Sequence, residues 1–144
     1  NISPLDLQKE ISPDLLYEIF MKKDSSEKDI AFFWTHHLSS LQEFSQTLDK
    51  LQQYLEISDS MLHFFYDSTS DKIAFNYRFS IFFNVHYYIE NMSSTPSEKL
   101  SYWFLILCHE LAHNVERHHN ANFVRIFQNI VHYNLPKISD IKIE

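Results

Sequence analysis

The sequence predicts a single α+β domain over residues 1–144, and three observations predict it. Apolar residues recur at helical spacing through residues 34–55. Aromatic and β-branched runs, separated by polar turn residues, occupy roughly 60–90. A strong helix signal then carries His109-Glu110-Leu111-Ala112-His113. The expected order is N-terminal helices over 1–58, a small antiparallel three-stranded meander, the histidine-bearing helix and a C-terminal helix.

Composition supports a packed core. A chain of 144 residues is long enough to bury one. An apolar fraction of 44%, with 13 Phe and 8 Tyr, argues against disorder. The formal net charge of −7 makes a non-specific grip on nucleic acid or on an anionic membrane an unexpected property of this segment. A single cysteine, Cys108, rules out an internal disulfide framework and suits a reducing, intracellular setting, or a secreted chain that does without disulfides. No apolar run reaches the ~18 residues of a membrane span. The chain opens at Asn1, which suggests a segment of a larger protein. It has no glycine, so left-handed turn positions are expected to fall on Asn, Asp, Ser or Pro.

In the first part, Ser12-Pro13-Asp14 reads as a helix start. A longer helix should follow Asp24-Ser25-Ser26. Its stripe is Trp34, Leu41, Leu48 and Leu55, with His37, Phe44 and Leu51 offset by three. The expected product is one amphipathic helix of seven or eight turns packed on its own domain. A partner-helix contact through residues 30–55 is the sharper alternative. The His36-His37 doublet reads as the polar edge of this stripe.

The second part reads as strands at Met61 to Tyr66, Lys72 to Asn76 and Ser80 to Val85. Asp67 to Asp71 and Asn76-Tyr77-Arg78 are the expected turns.

The third part opens with Thr95-Pro96-Ser97-Glu98, a capping box with proline at the first helical position. Leu100, Trp103, Phe104, Leu107 and Leu111 form the buried face, and Cys108 reads as a small core residue. Two imidazoles four residues apart on a helix lie one turn above each other, so His109 and His113 can reach one zinc ion. Glu110 falls beside the open coordination position, where it can take a proton from water. A third ligand requires the helix to end soon after His113. Asn114 is the residue best suited to a left-handed stop, which would let His119 swing under the metal. Glu116 and His118 compete for that role. Asn120 can cap a last helix ending near Asn134-Leu135-Pro136. Tyr133, His132, His86 and Tyr87 are candidates for steadying an oxyanion, although an ordinary packed or half-exposed side chain is the favoured reading of these positions.

His-Glu-Leu-Ala-His-Asn, a histidine ten residues after the first, and Phe123 four beyond that resemble the WLM and SprT-like (Spartan-type) zincins. Those are minimal metallopeptidases that act on proteins crosslinked to DNA. Ile73-Ala74-Phe75-Asn76, Phe82-Phe83-Asn84 and the run from His109 to Asn120 are also similar to a zincin-like C-terminal region of large eukaryotic proteins bearing an Hsp90-type ATPase module, the NO VEIN and sacsin-related group. The likeness covers about residues 60–130. It implies one zinc ion on His109, His113 and His119, Glu110 as general base, and a protein or peptide substrate. Glu116-Arg117-His118 departs from the Gly or Pro often found there, and no methionine follows His113 to make a Met-turn. Two functional classes therefore fit the sequence: an active zinc metalloendopeptidase, and a catalytically silent zincin-fold module for structure or partner binding. A helical domain with a chance HExxH is the third reading.

Overall fold

The computed structural model describes residues 3–141; the ends of the expected 1–144 domain lie outside the described residues. Its elements are β1 (Leu7–Ile11), β2 (Glu18–Lys22), α1 (Glu27–His36), α2 (Leu38–Leu55), β3 (Leu62–Phe65), β4 (Ala74–Tyr77), β5 (Ser80–Asn84), α3 (Val85–Glu90), α4 (Pro96–His113) and α5 (Ala121–Ile138), with short 3-10 turns at Pro4–Asp6 and Asp59–Met61. The class is α+β, with five α-helices and a five-stranded mixed sheet among the described residues. None of these helices is long and apolar enough to cross a membrane.

The N-terminal part is not all helical. Residues 7–22 form an antiparallel hairpin, with Leu7 opposite Lys22 and Ile11 opposite Glu18. The residues expected to start a helix make its turn instead. The Ser12 hydroxyl donates to the Asp14 carboxylate and accepts from the Tyr17 amide, and Asp14 accepts from the Leu16 amide. Ser, Pro and Asp serve helix caps and tight turns through the same local hydrogen bonds. What decides between them is distant: Ile19 and Met21 alternate into the main core and hold β2 extended.

The long amphipathic helix is two helices. The backbone leaves helical geometry at His37 (φ −124°, ψ 3°), which ends α1 and precedes α2. The His37 ring packs edge-on against Phe33 and lies 5.5 Å from Tyr66. The stripe itself survives: Trp34, Leu41, Phe44, Leu48, Leu51 and Leu55 are all buried. Burying each such side chain contributes about 1.5–3 kcal/mol. Phe44 is the hub, its ring 4.5 Å from Tyr88 and 4.5 Å from Trp103.

The expected meander is also corrected. The strand order is β1-β2-β3-β5-β4; β3 runs parallel to both β2 and β5, and only β4 pairs antiparallel with β5. Residues 66–73 are therefore not a tight turn between neighbours but a loop that lets β5 insert between β3 and β4. Buried Asn84 organises it. Its amide donates to the carbonyls of Asp67 and Lys72, and its oxygen accepts the amides of Asp67 and His86. This order leaves β4 as an edge strand, which matters for the site.

Positive φ occurs at Leu15, Glu56, Arg78 and Phe79. None of these is Asn, Asp, Ser or Pro, contrary to the expectation for a chain without glycine. Glu56 closes α2 in the left-handed region (φ 56°, ψ 43°). Arg78 and Phe79 together form the two-residue β4–β5 turn, a geometry that ordinarily selects Asn-Gly. Each bulky residue held there costs about 1–3 kcal/mol.

One face of the sheet carries the helices. Ile19, Met21, Ile81 and Phe83 meet α2 and α4 there, with Tyr88, Trp103, Phe104 and Leu107 completing the core. The other face holds a smaller aromatic cluster in which Phe75 stacks on Phe82 at 4.8 Å.

Candidate metal centre

Local sequence sets the position of α4. Thr95 accepts from the Glu98 amide while Glu98 reaches back to the Thr95 amide, so the capping box forms as its residues require. Leu100, Trp103, Phe104, Leu107 and Cys108 anchor the helix in the core. Burial pushes the Cys108 thiol up to about 12, which keeps it an inert core group. With that face fixed, His109 and His113 project from the opposite side toward β4 and α5.

The helix ends at His113, as a third ligand requires, but not through a left-handed residue. Asn114 stays right-handed (φ −65°, ψ −23°). The chain reverses by tightening: the amides of Val115 and Glu116 both bond the Ala112 carbonyl, at 3.0 and 2.9 Å. The Glu116 carboxylate then braces the turn by accepting from the His118 amide and the Asn122 side chain. Those bonds occupy the acid that competed as a ligand. Asn120 caps α5 by accepting from the Phe123 amide at 2.9 Å. The helix runs on through Pro136 to Ile138, past the expected stop. A proline so near the end removes one backbone donor without ending the turn.

This path gathers the three expected imidazoles. The Nε2 atoms of His109 and His113 are 3.3 Å apart, those of His113 and His119 3.1 Å, and those of His119 and His109 3.1 Å. Among the described residues this is the one group of three or more His, Cys, Asp or Glu placed to hold a metal ion; His118 lies outside it. Nitrogens held at ~2.0–2.1 Å on three corners of a tetrahedron lie roughly 3.3–3.4 Å apart, so the observed triangle fits one small divalent ion. His113 Nδ1 lies 3.0 Å from the Glu116 carbonyl oxygen. Donation of Nδ1–H to that oxygen leaves the Nε2 lone pair for a metal. Phe123, nearly fully buried, packs against all three rings, with centroids at 4.9, 4.5 and 4.9 Å from His109, His113 and His119.

Electrostatics favour neutral ligands. Burial first, then the two neighbouring imidazoles, hold His109 down to about 4. His113 is lowered as well, mainly by burial. Burial raises the Glu110 carboxyl to about 7 against an opposing pull from Lys72. A dication on the triad would act in the same sense as Lys72 and favour the carboxylate.

The triad and Glu110 open into a groove of about 940 Å³ between β4 and α4, lined along one wall by Ala74 to Tyr77 and the turn residues Arg78 and Phe79. Asn76 ties that wall to the metal helix: its amide donates to the Glu110 carbonyl at 3.0 Å and to the Asn114 side-chain oxygen. Asn76, expected where a strand passes into a turn, lies within β4, and an asparagine on an edge strand carries no sequence signal that it reaches a helix. His86, Tyr87, His132 and Tyr133 do not line the groove. Tyr87 donates its hydroxyl to the Ser70 carbonyl, and Tyr133 stands exposed beneath Lys137.

Comparison with known proteins returns no match: no family model, no curated protein and no solved structure aligns with the chain.

Proposed function

We propose that this chain is a zinc-dependent metallopeptidase of the zincin type. The observation that carries the reading is the triangle of Nε2 atoms, 3.1 to 3.3 Å on a side, facing a groove that also holds Glu110. A zinc ion bound there supplies Lewis acidity, polarising a carbonyl and acidifying water. His109, His113 and His119 would hold the ion as neutral imidazoles, and none of them would need to titrate during turnover. Glu110 accepts the proton that water loses as its oxygen bonds to the peptide carbon. The same carboxyl passes that proton to the amine nitrogen as the C–N bond breaks. Burial raises this carboxyl in the metal-free centre, and a dication on the triad would oppose that rise and favour the carboxylate that accepts the proton.

The edge strand β4 supports a peptide substrate. Pairing with β5 leaves its outer backbone groups facing the groove, and an extended chain can add there as a further strand. The Asn76 bridge fixes that edge relative to the metal helix, so a carbonyl held on β4 has a defined position with respect to Glu110 and the triad. A silent module would need no buried carboxyl beside an accessible third ligand; His119 is exposed and leaves the centre open to the groove.

The test is zinc stoichiometry and casein cleavage on purified protein beside Glu110→Gln. The reading requires one zinc per chain in both proteins and loss of cleavage in the variant alone. Equal inertness of two zinc-loaded proteins would reduce the centre to a structural role.

A further inference from the structure

The groove inverts the charge of the chain around it. Acidic residues outnumber basic ones 19 to 12, yet Lys72, Arg78 and Arg117 line the groove against Asp71 and Glu110 alone. Glu110 belongs to the reacting centre, so the remaining lining charge is positive before any metal is counted.

Two of these cations are arginines that flank the contact between the groove's walls. Asn76 of β4 touches the Glu110 carbonyl of α4 and Asn114, which caps that helix; Arg78 follows Asn76 by two residues, Arg117 follows Asn114 by three, and both line the groove. Both arginines are exposed, and neither has a carboxylate within ion-pair distance among the described residues. Arg78 rests over the Tyr77 ring at 5.1 Å. The acid nearest Arg117 in sequence, Glu116, is turned to His118 and Asn122. Arg78 and Phe79 also occupy successive left-handed positions, φ 50° and 70°, where neither side chain is favoured. The turn chemistry does not call for them; their effect is to set a guanidinium and a 63% exposed aromatic ring at the rim of the groove.

We propose that Arg78, Phe79 and Arg117 form a subsite for a carboxylate of the bound peptide, an acidic side chain or a free C-terminus, so that the groove selects acidic peptides. The position of the peptide rests on the peptidase reading; the recognition step needs no chemistry. Guanidinium groups present paired donors that match a carboxylate, and a groove of positive potential raises the local concentration of acidic partners.

The test is fluorescence anisotropy with short labelled peptides on Glu110→Gln protein, zinc-loaded and metal-free. Matched peptides differ only in Glu or Gln at a scanned position and in a free or amidated C-terminus. Acidic peptides should bind about tenfold tighter than their neutral counterparts. Arg78→Gln and Arg117→Gln should each weaken that preference, and together remove it, with neutral-peptide affinity and melting temperature unchanged. Loss of preference on amidation assigns the carboxylate to the C-terminus; loss on Glu to Gln assigns it to a side chain. Equal binding of acidic and neutral peptides, or a preference that survives the double substitution, overturns the subsite. Cleavage is read separately with the wild-type protein: acidic peptides that bind by these arginines but stay intact support the subsite and remove the peptidase reading.

Discussion

His113 and Glu116 are joined across the end of α4, the ring Nδ1 of one 3.0 Å from the backbone oxygen of the other. The contact orients an imidazole through a turn that the Glu116 side chain itself holds in place. Glu116→Ala should therefore lower metal affinity by about 10- to 100-fold, as loss of support behind a ligand does, without abolishing one-to-one binding. His109→Ala and His113→Ala should abolish it. Competition against a chromophoric chelator measures both. Complete loss of metal in Glu116→Ala would make the glutamate a ligand after all.

Phe123 is the floor of the triad. Its ring lies within 5 Å of each imidazole centroid, and α5 brings it there through the Asn120 cap. Phe123→Ala should cost about 3–5 kcal/mol by leaving a cavity. Phe123→Leu keeps most of the volume but not the planar support, so its larger effect should fall on the metal. The expected pattern is a small drop in metal-free melting temperature and a distinctly larger drop in zinc affinity. Equal losses in both would mean the ring only fills space.

Asn76 connects the substrate wall to the metal helix. Asn76→Ala removes two hydrogen bonds, one of them to the Glu110 carbonyl, a cost of about 1–3 kcal/mol. Zinc content should not change, because no ligand is touched. Peptide cleavage should fall through kcat/KM as β4 loses its fixed distance from Glu110. Steady-state kinetics on zinc-replete protein separates this from simple unfolding.

What was legible in the sequence depended on interactions within reach of each other along the chain. The capping box at Thr95, the i,i+4 histidines and the Asn120 cap are local, and each holds in the structure. The gathering of His119 could be anticipated because the helix had to end, although the means differed: Ala112 accepts two amides where a left-handed Asn114 was expected. Distant pairing was not legible. Nothing near Ser12 announces that Ile19 is buried in the main core, and nothing near Asp67 announces that Asn84, far along the chain, will hold the loop that puts β5 between β3 and β4. The edge position of β4, and with it the groove wall, follows from that insertion.

Two groups at the centre displace protons in opposite senses, which gives a testable pH signature in metal-free protein. His109 is held from 6.5 down to about 4. Between those values the unfolded chain binds a proton that the folded chain refuses, so acidification destabilises the fold. His113, also lowered, adds to this. Glu110 moves from 4.5 up to about 7. Between those values the folded chain keeps a proton that the unfolded chain releases, so stability from this group is present at acid pH and lost as pH rises toward 7. From pH 4.5 to 6.5 the contributions oppose each other and flatten the wild-type profile. Glu110→Gln removes only the second contribution. Its melting temperature relative to wild type should therefore climb as pH rises from 4.5 to 7 and level off above, while its own acid loss below pH 6.5 becomes steeper. Thermal melts of the two metal-free proteins across pH 4 to 8 measure this, and an offset constant with pH would show that Glu110 is not held in its protonated form by burial.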